Sequence, residues 1–326
     1  MRRRGFIVWV GGAVVAPWAW AQAPQKVARV GILNAGRPEG GAANRAAFVE
    51  GMKALGWVER RNLQIDERYA NSRLEDLPRL AAELLGAKPD VVFCNGPAPA
   101  LALKRAGSPV PVVFAAVADP IGIGLAKSLS RPEGNFTGLA TLAPEFMLAK
   151  QVELLREIVR RASRIAYLTN PGNLVHVQGR DLRLKVAREQ GLEVVEVQAK
   201  AREDLEPAFA EAARRKADVM YLSGDPLPVE HRYLVAELAL RHRLPVMFLF
   251  HQHVEAGGLI SFGTDVADLN RRAAGHVDRI LKGAAPRDLP IEEPTKYMLV
   301  INMKTARALG LTIPQSVLIR ASRVIE

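Results

Sequence analysis

Residues 28–33, Ala-Arg-Val-Gly-Ile-Leu, and residues 164–168, Arg-Ile-Ala-Tyr-Leu, decide how this chain folds. Each is a short apolar run rich in branched side chains, the mark of a strand buried on both faces. Each also opens a strand–helix alternation, and the two alternations line up at an offset of about 130 residues. Asp90-Val91-Val92-Phe93 answers to Asp218-Val219-Met220-Tyr221. Val110-Pro111-Val112-Val113-Phe114 answers to Leu244-Pro245-Val246-Met247-Phe248. The shared order of elements carries more weight than the shared letters.

Working outward, apolar spacing predicts helices over 44–56, 74–87, 98–106 and 121–130 in the first half. In the second half it predicts helices over 145–161, 176–191, 203–216, 228–242 and 266–282, and a strand over 244–250. Alternation of this kind builds parallel sheets covered by helices. Two copies therefore give an α/β protein of two Rossmann-like lobes, hinged to one another. The length of 326 residues suits two such units. Ligands of open α/β sheets bind beyond the carboxyl ends of the strands, so two facing lobes line one cleft that hinge closure can shut.

Composition narrows the classes. Apolar residues make up 49% and charged residues 24%, the balance of a globular chain. Cys94 is the single cysteine, which excludes an intrachain disulfide and a cysteine-based zinc site. The net charge of +11 first suggests nucleic acid or an anionic surface. However, residues 1–23 read as an export signal: Arg2, Arg3 and Arg4, an apolar run from Phe6 to Ala16, and small residues at A-x-A spacing ending at Ala21 or Ala23. Arg3-Arg4-Gly5-Phe6-Ile7 also suits a twin-arginine signal, so Sec and twin-arginine export both stand. Removing the signal leaves 42 basic against 34 acidic residues, or +8. These charges are scattered along predicted helices, among them Arg156, Arg183, Lys185 and Arg188, and read as solvated faces. No helix-turn-helix, zinc-finger or RNA-recognition signature occurs, so nucleic acid is not an expected partner.

The loops after the strands carry short polar side chains: Asn34-Ala35-Gly36, Asn95-Gly96-Pro97, Ala118-Asp119-Pro120, Thr169-Asn170-Pro171-Gly172, Ser223-Gly224-Asp225-Pro226 and His251-Gln252-His253. Helix-start amides there suit a carboxylate, and Asp119 or Asp225 suits an ammonium. The same residues also serve as turn and cap chemistry. No Gly-x-Ser-x-Gly elbow, P-loop or His-Glu-x-x-His occurs. Gly122-Ile123-Gly124 lacks the third glycine of a dinucleotide loop and reads as a helix start. The expectation is a protein without catalytic residues, metal or cofactor. Trp57 reads as a packing residue.

Ala115-Ala116-Val117-Ala118-Asp119-Pro120-Ile121-Gly122, Gly134-Asn135-Phe136-Thr137-Gly138, Val254-Glu255-Ala256-Gly257-Gly258-Leu259, Ile280-Leu281-Lys282-Gly283 and the tail Val300–Ala306 add a family pattern. Over residues 27–326 the chain resembles the ABC-transporter substrate-binding proteins of the tryptophan/tyrosine-binding type, with the type 1 periplasmic-binding fold. The resemblance implies a periplasmic protein that captures a small solute and delivers it to a membrane permease, acting as a monomer. An exported sensor that presents its closed form to a membrane receptor is the alternative. By position, the resemblance implies ligand contacts at Asn34, Gly96, Pro97, Ala116, Asp119, Asn170, Asp225 and Asp265, with Phe250 reshaping the pocket. Members often have Thr where this chain has Gly96, and Ser where it has Asn170. Both departures argue against tryptophan or another aromatic amino acid as the ligand; the expected class is a small polar or zwitterionic molecule, an amino acid or a related aromatic or organic acid. Three interlobe crossings are expected near 139–144, 262–266 and 293–299. They divide the chain into a first lobe of 27–141 plus 265–295 and a second of 142–264 plus 296–326.

Overall fold

A computed structural model describes residues 27–141 and 144–326. The expected export segment, 1–23, lies outside the described residues.

Strands β1 (Ala28–Asn34), β2 (Leu63–Tyr69), β3 (Val91–Asn95), β4 (Val112–Val117) and β5 (Phe136–Ala140) form one parallel sheet in the order β2-β1-β3-β4-β5. The second sheet holds β6 (Arg164–Thr169), β7 (Glu193–Gln198), β8 (Val219–Leu222), β9 (Val246–Phe248), β10 (Ile260–Thr264), β11 (Tyr297–Asn302) and β12 (Arg323–Ile325). Its order is β12-β11-β10-β9-β8-β6-β7, so β7-β6-β8-β9-β10 repeats the arrangement of the first sheet. Among the described residues only the β10–β11 pair is antiparallel. In each sheet the order reverses beside the first strand, between β1 and β3 and between β6 and β8. That is where α/β sheets open a crevice for ligand.

The two-residue period of a strand explains the cores. Val92, Cys94, Val112 and Phe114 face one side of the first sheet, whereas Val91, Phe93, Val113 and Ala115 face the other. The second sheet divides likewise, with Met220, Leu222, Val246 and Phe248 against Val219, Tyr221 and Met247. Cys94 is fully buried, and burial pushes its thiol far above the usual range, which removes it as a nucleophile.

Among the described residues the elements change sheet after β5, after β10 and before β11. After β5, helix Pro144–Ile158 packs Val152, Leu155 and Ile158 into the second lobe. After β10, helix Val266–Leu281 returns to the first lobe, where Leu269, Ala273 and Val277 cover Phe48, Phe93 and Val113. Leu289 and Ile291 remain with that lobe before β11 rejoins the second sheet. The Ala140 amide donates to the Glu292 carbonyl at 2.8 Å and the Glu292 amide donates to Gly138 at 3.0 Å, which ties the first and third passages together.

Several local expectations give way. Residues 121–130 form turns rather than a helix: the Gly122 amide donates to Asp119 Oδ1 at 2.8 Å, and Gly124 takes φ +74°. The first helix begins at Pro38, whose fixed φ suits a first helical position. The helix expected over 176–191 is split at Gly179 into Leu174–Gln178 and Arg180–Glu189. That over 228–242 is split at His231 into Pro226–Glu230 and Arg232–Arg241. The strand expected over 244–250 keeps only β9, because pairing on both sides ends at Phe248 and the chain turns into helix His251–Glu255.

Helix Pro38–Ala54 lies against helix Val266–Leu281 closely enough that a Cβ at Gly51 would sit 2.5 Å from the Arg271 carbonyl oxygen and 2.8 Å from Ala274 Cβ. Trp57 Nε1 donates to Asp278 Oδ1 at 2.8 Å across the same joint, a bond added to its packing. Gly51→Val is therefore expected to destabilise the protein by about 1–3 kcal/mol, the usual cost of overpacking, read as a lower urea midpoint at unchanged slope.

Candidate ligand-binding cleft

A cavity of about 570 Å³ lies between the lobes, lined from both sheets at the carboxyl ends of their strands. This size falls within the range of small-molecule sites. Ile32, Phe93, Ile123, Met147, Leu182 and Leu249 make much of its wall apolar. Three buried polar atoms on that wall have no hydrogen-bond partner among the described residues: Asn44 Oδ1, Gln252 Oε1 and Thr264 Oγ1. They come from the first lobe, the second lobe and the hinge. Buried polar atoms are ordinarily satisfied, so an orphaned set around one cavity marks a place for ligand or water.

Of the sequence-derived candidates, Asn34, Gly96, Pro97, Ala116, Asp119, Asp225 and Phe250 line this cavity. Gly96 has φ +85°, a conformation free of strain only for glycine, and leads into helix Pro97–Arg105. Ala116 (φ +56°), at the irregularity in β4, and Asp119 (φ +45°), in the loop that follows, are non-glycine residues held left-handed at the cleft edge. Asp225 caps helix Pro226–Glu230 by accepting from the Leu227 amide at 3.0 Å, and also accepts from Asn173 Nδ2 at 2.8 Å and Asn170 Nδ2 at 3.2 Å. Its carboxylate is thus largely spent on the loop. Two candidates stand off the cavity wall. Asn170 is buried behind Asp225, and Asp265 caps helix Val266–Leu281 by accepting from the Asp268 amide at 3.1 Å.

Sequence reasoning overlooked residues brought in by helices. Asn270 is buried on helix Val266–Leu281 and accepts from Asn95 Nδ2 at 2.9 Å. Arg183, read as part of a solvated face, is only 8% exposed and lines the cavity. Its signal was present: Arg183, Val186 and Ala187 share the i, i+3, i+4 stripe that is buried, whereas Lys185 and Arg188 lie off it.

The model of the family described as ABC transporter substrate binding protein matches residues 30–325. The chain belongs to this family. It is 24% identical over 267 residues to the tyrosine-binding protein of Clostridioides difficile, covering 82% of this chain and 76% of that one. Among solved structures, a conserved domain protein from Vibrio cholerae superposes with a TM-score of 0.85 at 31% identity, covering 92% of this chain and all of that one. An ABC domain from Streptococcus pneumoniae in complex with L-Trp gives 0.83 at 26% identity, covering 91% and 99%. The architecture is the type 1 periplasmic-binding fold of these substrate-binding proteins.

One pair in this cleft imitates a nucleophile and its base. Ser223 Oγ lies 2.7 Å from His176 Nε2, with Asp225 close by. The hydrogen bonds prevent that use. The Asn170 amide donates to His176 Nδ1 at 2.9 Å, so Nδ1 is the bare nitrogen and Nε2 carries the proton that it gives to Ser223. A base for Ser223 needs the opposite tautomer. Burial also lowers the His176 pKa and keeps the ring neutral. The family binds solutes, and these residues brace its second-lobe loop. Among the described residues no cluster of His, Cys, Asp or Glu is placed to hold a metal ion. His251 and His253 fall on a helix, two residues apart, so they do not share a face; His253 is buried and stacked on Phe248 at 4.7 Å.

Across the cleft mouth, Glu230 of the second lobe joins the first: Arg37 Nε lies 2.6 Å from Oε1 and Ser72 Oγ donates to Oε2 at 2.7 Å. Glu230 is 12% exposed but Arg37 is 55% exposed, so the latch is worth about 1 kcal/mol after solvent screening. Glu230→Ala is expected to shift the free protein towards open forms, seen as a larger radius of gyration in small-angle scattering.

His253 sets a pH dependence. Burial pushes its pKa down from 6.5 to about 4, although carbonyls of Phe250 and Pro228 favour the charged ring. The unfolded chain therefore binds this proton more readily, and the stability from a neutral His253 is complete above about pH 6.5 and is lost as pH falls towards and through about 4. His176 and His276 are lowered in the same direction. The melting temperature should fall between pH 7 and pH 5, and His253→Gln should make that fall shallower.

Proposed function

We propose that this protein is the solute-binding component of an ABC importer, holding a small polar or zwitterionic molecule between its lobes. The amino acids and related aromatic or organic acids are the class that fits. The carrying observation is the cavity itself: apolar walls with a few convergent polar groups, set where two matched sheets present their strand ends. The similarity to a tyrosine-binding protein and to an L-Trp-bound domain supports an amino-acid-like ligand. In this reading Asn34, Gly96, Pro97, Ala116 and Asp119 contribute the first-lobe wall, Asp225 and Phe250 the second, and Asn170 and Asp265 brace them from behind. The lobes are residues 27–141 plus 265–295 and 142–264 plus 296–326.

The first 23 residues direct export, and the monomer works in the periplasm beside a membrane permease. Among the described residues no helix is long and apolar enough to cross a membrane. Binding of a solute at a hundredfold excess over its dissociation constant should add about 2.7 kcal/mol of stability. A thermal-shift screen of the exported form against amino acids, aromatic acids and organic acids is therefore expected to give a shift of several degrees for one class. If no solute of any class moves the melting temperature, the reading fails.

A further inference from the structure

We propose that Arg183 holds the anionic group of the ligand, and that the ligand is a carboxylate on an apolar body with its acid group seated in the second lobe. This inference rests on the cleft being a solute site and narrows what that site takes. Arg183 is 92% buried on the cavity wall, because only 8% of it is exposed. Its guanidinium donates to the His176 carbonyl, and among the described residues no carboxylate is in ion-pair contact with it; the carboxylate that acts on it from further off, Glu196, is held by Arg180 at 2.6 Å. The other two arginines on the wall are already partnered, Arg37 by Glu230 and Arg45 by Glu67 and Glu59. A buried cation without a counter-ion is a large electrostatic cost, and arginine does not escape it by losing its proton. The cost is removed when a ligand brings the missing charge.

The surroundings suit an acid carried on an apolar or aromatic body. Tyr167 and Tyr221 meet edge to face at 5.4 Å beside Arg183, and the Tyr167 hydroxyl is buried with no partner among the described residues. Met147, Leu148 and Leu182 continue the cavity wall as apolar surface. The helix starts at the cleft are poor substitutes for this cation. Helix Pro97–Arg105 has proline at 97 and 99, and helix Pro226–Glu230 has proline at 226 and 228. Proline has no N–H to give, and the Leu227 amide between the second pair already donates to Asp225.

Calorimetric titration with L-tyrosine, 4-hydroxyphenylacetate and indole-3-acetate, against 4-hydroxyphenylacetamide and tyramine, tests the inference. At least one carboxylate is expected to bind, with the matched amide or amine about 100-fold weaker. Arg183→Gln should weaken that carboxylate by a similar factor and Arg183→Lys by less. The ligand-free Arg183→Gln protein should melt no lower than the parent, because an unpaired buried charge has gone. A purely structural arginine gives the reverse, a lower melting temperature with affinity retained, and that result overturns the inference. Amide binding as tight as carboxylate binding overturns it as well. Should Arg183→Gln not fold, Arg183→Lys and the amide comparison on the unaltered protein decide. If only solutes without a carboxylate bind, Arg183 loses this role and the solute site stands; if nothing binds, the site reading itself falls.

Discussion

The structure depends on one long-range seating: helix Val266–Leu281, which follows directly from a strand of the second sheet, covers an apolar face of the first. Val91, Phe93, Val113 and Ala115 present that face, and without Leu269, Ala273 and Val277 it would meet water. Because the covering helix begins at the hinge, its first turns form part of the cleft. Val266 and Asn270 reach the cavity for this reason, next to Thr264 at the end of β10, and Asn270 fixes Asn95 at the end of β3. One packing requirement thus holds the first lobe together, defines a hinge passage and supplies part of the binding wall.

The large-scale fold was legible because its signals are periodic. Buried parallel strands read as continuous apolar runs, and two sets in the same order gave two similar lobes. The failures lie where a local signal competes with context. Residues 121–130 have helical spacing, but Asp119 captures the Gly122 amide and two glycines relax the backbone into turns. Residues 249–250 have strand propensity, but the pairing with β8 and β10 stops at Phe248 and the chain turns into helix His251–Glu255. Propensity proposes a conformation, and tertiary pairing decides it.

The cleft was legible in part for a similar reason. Residues that follow strands, such as Asn34, Gly96 and Asp119, are placed by topology, and the strand-end rule finds them. Asn44, Arg183 and Asn270 are placed by the rotation of helices about their axes, which needs the burial stripe to be read residue by residue. Arg183 shows the hazard: among several basic residues on a helix, one sits on the buried stripe and its neighbours do not. Asp225 shows another. Its position is right for a ligand, yet its oxygens are engaged by Leu227, Asn173 and Asn170, which a sequence cannot reveal.

The discontinuity of the first lobe also has a consequence for the order in which the molecule is made. A chain grows from its amino end, and the first sheet is complete in sequence at Ala140, yet the helix that covers one of its faces ends only at Leu281. During that interval Phe48 and Phe93, stacked at 4.3 Å in the finished protein, belong to a half-covered sheet. The second lobe waits as well, because β11 and β12 join its sheet only after that helix and bring Leu299, Val300 and Ile301 to its core. Neither lobe is therefore a closed body when its first strands leave the ribosome, and the interval in which the first sheet stands half covered is a period in which the nascent chain is open to aggregation.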